Sequence, residues 1–463
     1  MGPRFGTDGL RGVANCDLTP EVALSLGRAV ARVLSSRHFL VGRDTRRSGS
    51  MLEAGLAAGL ASEGVDVELL GVLPTPAIAF TAGRRAVPAA VISASHNPFE
   101  DNGIKLVTAR GTKLCDEAER EIEAELEYLI GAGPTYTPAV SDASTDEKGR
   151  RPRGAAIGSV RADTGAVEAY LDHLIGIVGG TDLSCLRVVI DCANGAASAV
   201  GPAVLERLGV THIAVETSPN GVNINAGCGS THPDRVAREV LETGADLGLT
   251  LDGDADRVLA VDHAGQVVDG DQLLAIFARD LKERGRLGSN TIAATVMSNL
   301  GLHRGLERLG IVVVETPVGD RQVAEALERE DLVLGGEQSG HLIFRDHATT
   351  GDGLLTGLLL LEVLARHRAS LAELAGRAML RFPQEMRSVA VPDPRRLGAS
   401  SALSELVAEV EAELGGDGRV LLRASGTESV VRVMVEARSN EIAVALAERI
   451  AAAVRAELGT VRA

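Results

Sequence analysis

An α/β protein of about three or four domains is what this sequence predicts. Three observations lead there. The chain has 463 residues, more than one hydrophobic core normally serves. Strand-like apolar runs alternate with helical patterns through three successive blocks. After Arg381-Phe382-Pro383 the rhythm changes, and the remainder reads as an α+β module of about 85 residues.

In the first block, residues 19–34 read as a helix. Thr19 can cap it, Pro20 suits its first turn, and Val22, Leu26, Val30 and Val33 recur at helical spacing. An apolar run at Phe39-Leu40-Val41, a second helix at 50–62, and strands at Val65 to Leu73 and Pro88 to Ser93 follow. Between 131 and 165 Gly, Pro, Thr, Asp and Arg dominate, which predicts an exposed loop and a domain boundary. The second block runs through a strand at Leu186 to Asp191, a helix at Ala196 to Leu208, a strand at Ile213 to Glu216 and a helix at 233–243. It ends in a strand at Leu247 to Leu251 that leads straight into Asp252. In the third, strands at Thr291 to Met297, Ile311 to Glu315 and Leu332 to Leu334 alternate with helices. The common rhythm points to a structural repeat. The last module has helices at 402–414 and 440–457 and strands at Arg419 to Leu422 and Val430 to Glu436.

Composition narrows the function. Trp is absent and aromatics are 2%, so the cores are aliphatic. The formal net charge of −16 argues against nucleic-acid binding, which needs a basic surface. It also means that any site for a phosphorylated ligand has to be locally positive and short-ranged. The five cysteines form no zinc spacing and read as free thiols of a reducing, cytoplasmic setting. The start of the chain has no apolar leader. The greasiest run, Gly353 to Leu364, is too short for a bilayer and reads as a buried helix. No membrane partner is expected.

Five motifs carry chemistry. Ser93-Ala94-Ser95-His96-Asn97-Pro98 lies at a strand end, where open α/β sheets bind ligands, with Asn102-Gly103-Ile104-Lys105 behind it. Serine beside histidine suggests a nucleophile, although Asn-Pro and Asn-Gly are also ordinary turn dipeptides. The glycines of a hydrolase elbow are missing, since Ser93 and Asn97 hold their positions. Asp252-Gly253-Asp254-Ala255-Asp256-Arg257 crowds three carboxylates, which repel one another unless a cation joins them. Hard oxygen donors at this spacing suit Mg²⁺ or Ca²⁺. Arg257 and His263 stand where a calcium-binding EF-hand loop needs Gly and Glu. Gly335-Gly336-Glu337-Gln338-Ser339-Gly340-His341 offers Glu337 and Ser339 to sugar hydroxyls, or is a plain glycine-rich turn. Arg423-Ala424-Ser425-Gly426-Thr427-Glu428 with Arg432 makes an anion cradle, or a hairpin with surface arginines. Arg4-Phe5-Gly6-Thr7-Asp8-Gly9-Leu10-Arg11-Gly12 is a loop suited to approach an anion. His303 and His347 read as structural, and His341 is left without a role.

Together these loops resemble the α-D-phosphohexomutase family, from the FGTDGLRG segment to the RASGTE loop, essentially the whole chain. The resemblance implies three similar mixed α/β domains plus a C-terminal α+β domain around a central cleft, with boundaries expected at 1–155, 156–256, 257–375 and 376–463. It implies that Ser95 is the phosphoserine and that Asp252, Asp254 and Asp256 hold one Mg²⁺ together with the seryl phosphate. It places sugar contacts on Glu337 and Ser339, and phosphate contacts on Arg423, Ser425, Gly426 and Thr427, with Arg432 close by. Within the family, the SASHNPFEDNGIK stretch, the segment from Asn223 to Pro233, and Gln338 between Glu337 and Ser339 resemble the amino-sugar branch.

The implied reaction is glucosamine 6-phosphate ⇌ glucosamine 1-phosphate through a hexosamine 1,6-bisphosphate, feeding cell-wall precursor synthesis. Glucose or mannose phosphate is the alternative substrate, and a non-catalytic sugar-phosphate-binding regulator the alternative class. Arg11, Lys105 and Arg257 would supply local positive charge. His96 and Lys105 are both candidates for the general base. An activating kinase is a candidate partner, and the chain is expected as a monomer or homodimer.

Overall fold

The computed structural model describes residues 5–6, 9–131, 152–178, 180–425 and 429–459. It has four sheets in chain order and divides into two compact units. One is Met1–Val296 with Val314–Ala375, and the other is Met297–Val313 with Gly376–Ala463.

The first sheet contains β1 (Phe5–Gly6), β2 (Gly9–Val13), β3 (His38–Arg43), β4 (Asp66–Val72), β5 (Ala89–Ile92), β6 (Asp101–Val107) and β7 (Val160–Ala162), in the order β1-β2-β6-β5-β3-β4-β7. Strands β3, β4, β5 and β7 are parallel, while β6 returns antiparallel to β5. The expected first helix is present at Pro20–Leu34, and Thr19 Oγ1 accepts from Val22 N at 3.4 Å. It crosses helix Gly49–Ser62 backbone to backbone. A Cβ on Gly59 would stand 2.1 Å from Leu24 O, so no larger residue fits there. Leu26, Val30, Leu52, Leu56 and Leu60 bury their side chains in the core beside β3 and β5.

The second sheet, β8 (Arg187–Asp191), β9 (Thr211–Val215), β10 (Leu247–Leu251), β11 (Val258–Asp262) and β12 (Val267–Val268), runs β12-β11-β10-β8-β9. The third, β13 (Thr291–Thr295), β14 (Val312–Thr316), β15 (Leu334–Gly336) and β16 (Leu342–Phe344), runs β14-β13-β15-β16. In both, as in the first, a strand parallel to its sheet neighbour is followed by an antiparallel return strand: β10 by β11 and β15 by β16. This shared plan is the structural repeat that the sequence rhythm pointed to. The last sheet, β17 (Gln384–Ala390), β18 (Arg419–Ala424) and β19 (Val430–Glu436), is antiparallel throughout, in the order β17-β19-β18.

Three details differ from the expectations. The helix expected from Ala196 begins at Val200, because Cys192 to Ser198 form turns closed by Gly195 N to Cys192 O and Ser198 N to Gly195 O. The strand expected at Leu332 to Leu334 lies at Leu334–Gly336, since Leu332 N still bonds Leu327 O at the preceding helix end and Asp331 is left-handed, φ 53°. Part of the 131–165 stretch is structured: Val160–Ala162 is the edge strand β7, paired with β4, while residues 132–151 lie outside the described set. Gly353–His367 is a buried helix as expected, capped by Asp352 accepting from Leu355 N at 2.9 Å. Among the described residues, no helix is long and apolar enough to cross a membrane.

Candidate active site

Four of the five motifs read from the sequence each occupy a hairpin between a strand and its antiparallel partner. The serine motif joins β5 to β6, the aspartate motif β10 to β11, the glutamate motif β15 to β16, and the arginine motif β18 to β19. The first three meet within the larger unit.

Ser95 is buried and left-handed, φ 50°, a conformation that costs a non-glycine residue about 1–2 kcal/mol. Its hydroxyl donates to Asp252 Oδ2 at 2.5 Å and lies 3.3 Å from His96 Nδ1. The aspartate hairpin is pressed against it. A Cβ on Gly253 would stand 2.6 Å from Ser95 O, so the close approach requires glycine. Asp252, Asp254 and Asp256 are all buried and offer oxygens within 4.8 Å of one another.

The surroundings are tied to these carboxylates by opposite charge and hydrogen bonds. Lys105, brought in by β6 beside Val91, places Nζ 3.1 Å from Asp254 Oδ2 and 3.8 Å from Asp256 Oδ2. Thr75 donates its hydroxyl to Asp254 Oδ2 at 2.7 Å and its amide to Asp254 O at 2.9 Å. Arg257 Nε is 3.7 Å from Asp256 Oδ1, and Arg257 Nη1 is 3.5 Å from His96 Nδ1. His341 Nδ1 lies 3.7 Å from Asp256 Oδ2, and its Nε2 accepts from Gly351 N at 3.0 Å. Burial and the two neighbouring carboxylates push Asp252 well above the usual carboxylate range. Burial opposes ionisation of Asp256 too, but Lys105, His341 and Arg257 outweigh it and hold that carboxyl well below the range. Burial, with the charges of Arg257 and Arg11, lowers His96 and favours its neutral ring.

The residues fit a magnesium ion. Asp254 Oδ1 and Asp256 Oδ1 are buried and accept no hydrogen bond from the described residues, so two oxygens of the cluster stand ready as ligands. The donor set is all hard oxygen, which Mg²⁺ prefers.

The glutamate hairpin is fastened to the aspartate hairpin through Val258 N to Gly340 O, at 3.1 Å, and a Cβ on Gly340 would meet Val258 O at 2.1 Å. Glu337 is buried, accepts from Gly319 N at 3.1 Å and from Ser339 Oγ at 3.4 Å, and its charge helps to raise the pKa of Arg257, against the effect of burial. In the smaller unit, Arg423 and Arg432 are register partners across β18 and β19, and Ser425 N closes the hairpin on Val430 O at 2.9 Å. Burial and the neighbouring Arg432 lower the Arg423 pKa. Gly426 and Thr427 lie outside the described residues.

Sequence reading therefore reached Ser95, His96, Lys105, Arg257, Glu337 and the aspartates, all in one centre, with Arg11 close enough to act on His96. It missed Thr75, whose only local signal is a Thr-Pro pair opening helix Thr75–Arg85. It left His341 unassigned, because nothing local shows which carboxylate the imidazole faces.

This centre, formed by hairpins from repeated α/β sheets, defines a phosphohexomutase-type protein, and the chain belongs to the phosphoglucomutase/phosphomannomutase family. The family's α/β/α domain I matches residues 2–129, domain II 168–265, domain III 269–382 and the C-terminal domain 386–453. A phosphoglucosamine mutase of Desulforamulus reducens is 50% identical over 443 residues, covering 95% of this chain and 96% of that one. A solved phosphoglucomutase/phosphomannomutase family protein of Burkholderia thailandensis superimposes with a TM-score of 0.79 at 26% identity, covering 98% of each chain. The fold is also that of an Aspergillus fumigatus N-acetylphosphoglucosamine mutase solved with GlcNAc-6P and magnesium. There the TM-score is 0.66 at 18% identity, over 99% of this chain and 96% of that one.

Proposed function

We propose that the chain interconverts glucosamine 6-phosphate and glucosamine 1-phosphate in the cytoplasm through phosphorylated Ser95 and glucosamine 1,6-bisphosphate. The observation that carries the reading is the contact of Ser95 Oγ with Asp252 at the edge of a buried three-aspartate cluster. The half-identical relative named phosphoglucosamine mutase supports the amino sugar.

In the forward half, the bond between phosphorus and Ser95 Oγ breaks, a bond to sugar O1 forms, the O1 proton passes to a base, and Oγ takes up a proton. In the return half, the bisphosphate gives its 6-phosphoryl group to Ser95, the Oγ proton leaves, and O6 regains one. His96 is the better-placed base, because Lys105 already engages Asp254 and Asp256, while His96 Nδ1 lies 3.3 Å from Ser95 Oγ. Asp252, Asp254 and Asp256 would hold Mg²⁺, which when bound supplies Lewis-acid polarisation of a phosphoryl oxygen. Arg257, Lys105 and Arg11 offset charge that develops on the transferring group. Glu337 and Ser339 accept from or donate to sugar hydroxyls. Arg423, Ser425, Gly426, Thr427 and Arg432 take a phosphate. A kinase or a bisphosphate primer loads Ser95 before the first turnover. The four divisions at 1–155, 156–256, 257–375 and 376–463 each contribute one of these loops.

The test is intact mass before and after incubation with a hexosamine 1,6-bisphosphate, followed by mapping of the modified peptide. One added phosphoryl group on Ser95 is expected. A phosphoryl group on another residue, or none, removes the reading. Comparing kcat/KM for glucosamine, glucose and mannose phosphates then decides the sugar.

A further inference from the structure

We propose that Arg46 is a positioning residue for this transfer: its guanidinium locks the main chain around Ser95 in the conformation that aims the hydroxyl at Asp252. The proposal rests on the reading of Ser95 as the phosphoryl carrier.

The Arg46 side chain is entirely buried. Its Nε donates to Asp44 Oδ2 at 2.8 Å. Its Nη1 donates to the carbonyls of Pro98 and Asp101, and its Nη2 to those of Ser95 at 2.8 Å and Asn97 at 2.9 Å. One planar cation thus gathers four carbonyls of the turn that carries the nucleophile. Asn225 Nδ2 reinforces two of them, Ser95 O at 2.9 Å and Asn97 O at 3.0 Å. The other side of the Ser95 peptide is tied as well. Ser95 N donates to Ser93 Oγ at 3.0 Å, and Ser93 Oγ donates to Asp44 Oδ2 at 2.7 Å. Asp44 therefore joins the guanidinium to the amide of Ser95 through one hydroxyl.

Every polar main-chain atom of Ser95 is bound in this way while the residue is held at φ 50°. An unsupported serine relaxes to negative φ, which swings Oγ off Asp252. The device is geometric rather than electrostatic, because Asp44 sits against Arg46 and cancels its charge locally. Only a fork of donors spans the four carbonyls; a lysine ammonium keeps the charge but offers its donors from a single point. Arg46 acts through Ser95 and is assigned no contact with the substrate.

The test uses the full chain with Arg46→Lys. Phosphoryl transfer from glucose 1,6-bisphosphate to Ser95 is followed by intact mass in single turnover, beside steady-state kinetics and amide hydrogen exchange. Expected are a fall in kcat of about 100-fold, the scale of a small misplacement of a reacting group, and KM within about threefold. Exchange should quicken in the 93–101 segment and stay unchanged elsewhere. Asn225→Ala, which removes one donor from the same two carbonyls, should cost about tenfold, and the double variant less than the product of the two. Wild-type kcat in Arg46→Lys overturns the proposal, as does exchange that rises throughout residues 9–131. Should Arg46→Lys not fold, Ser93→Ala and Asn225→Ala carry the same test, and unchanged transfer rates in both overturn it. Failure of the wild-type chain to accept a phosphoryl group on Ser95 instead removes the proposed function, and the exchange comparison still reads the lock.

Discussion

The aspartate hairpin and the arginine hairpin are built on the same plan, a turn between two antiparallel strands, yet they treat charge in opposite ways. Around Asp252, Asp254 and Asp256 the chain brings its own counter-charges beside the carboxylates: buried Lys105 and His341, and partly exposed Arg257. On β18 and β19 it sets two like charges, Arg423 and Arg432, on paired positions, and burial together with that like charge lowers the pKa of half-buried Arg423. A centre that must do chemistry is preorganised by internal partners, because reorganising during the transfer would cost rate. Under the proposed function the arginine hairpin takes a phosphate, whose oxygens accept charge-assisted hydrogen bonds from guanidinium groups.

The contrast can be broken at either end. The largest effect is expected from Ser95→Ala, which removes the phosphoryl acceptor. Turnover should drop by at least about four orders of magnitude while sugar-phosphate binding by calorimetry persists. Asp256→Asn comes next: it removes a carboxylate charge from the cluster and leaves Lys105 and His341 underpaired. Magnesium affinity, read by titration calorimetry, should weaken by more than the roughly 10–100-fold typical of losing a supporting group around a metal. Affinity equal to wild type would show that the cluster is not the ion's site. Arg423→Gln should cost about 10–100-fold in kcat/KM, the worth of one charge-assisted hydrogen bond, and the loss should shrink in high salt.

The smallest effect lies away from both hairpins. Tyr170 donates its hydroxyl to Asp352, at 3.0 Å to Oδ1 and 2.9 Å to Oδ2, and burial raises that carboxyl to about 6. With a folded pKa above the unfolded value, the native state keeps a proton between about pH 4 and 6 that the unfolded chain releases. Stability contributed at Asp352 therefore falls across that window, by about 3 kcal/mol once the group is ionised. Tyr170→Phe removes the donor that steadies the carboxylate. It should lower stability by about 1–3 kcal/mol near neutral pH and by less below pH 4, as measured by denaturant unfolding at both. Equal losses at the two pH values would contradict the assignment.

The chemistry was legible in the sequence wherever a loop concentrates it. The apolar run Leu247 to Leu251 leads into three alternating aspartates, and that pattern alone points to the buried carboxylate cluster that could hold a metal. Ser95, Glu337 and Arg423 also lie at strand ends, but their local patterns suit ordinary turns equally well, and only the resemblance of all the loops together gives them roles. What stayed hidden depends on pairing across long separations. Lys105 reaches Asp254 only because β6 folds back on β5, and Thr75 meets the same carboxylate from the start of a helix 179 residues earlier. Nothing local in the sequence singles out Arg46 and Asp44, which are buried, since no neighbouring residue records that four carbonyls will close over the guanidinium. Strand β7 was masked by the Gly- and Arg-rich segment before it, and its place at the edge of the first sheet is decided by β4.

The central claim is that phosphorylated Ser95 and the three aspartates share one divalent ion. Substituting Mn²⁺ and recording ³¹P electron-nuclear double resonance on the phosphorylated chain tests it without relying on turnover. A resolved ³¹P coupling that disappears in Ser95→Ala is the expected result. Bound Mn²⁺ with no ³¹P coupling in the phosphorylated wild-type chain would contradict it.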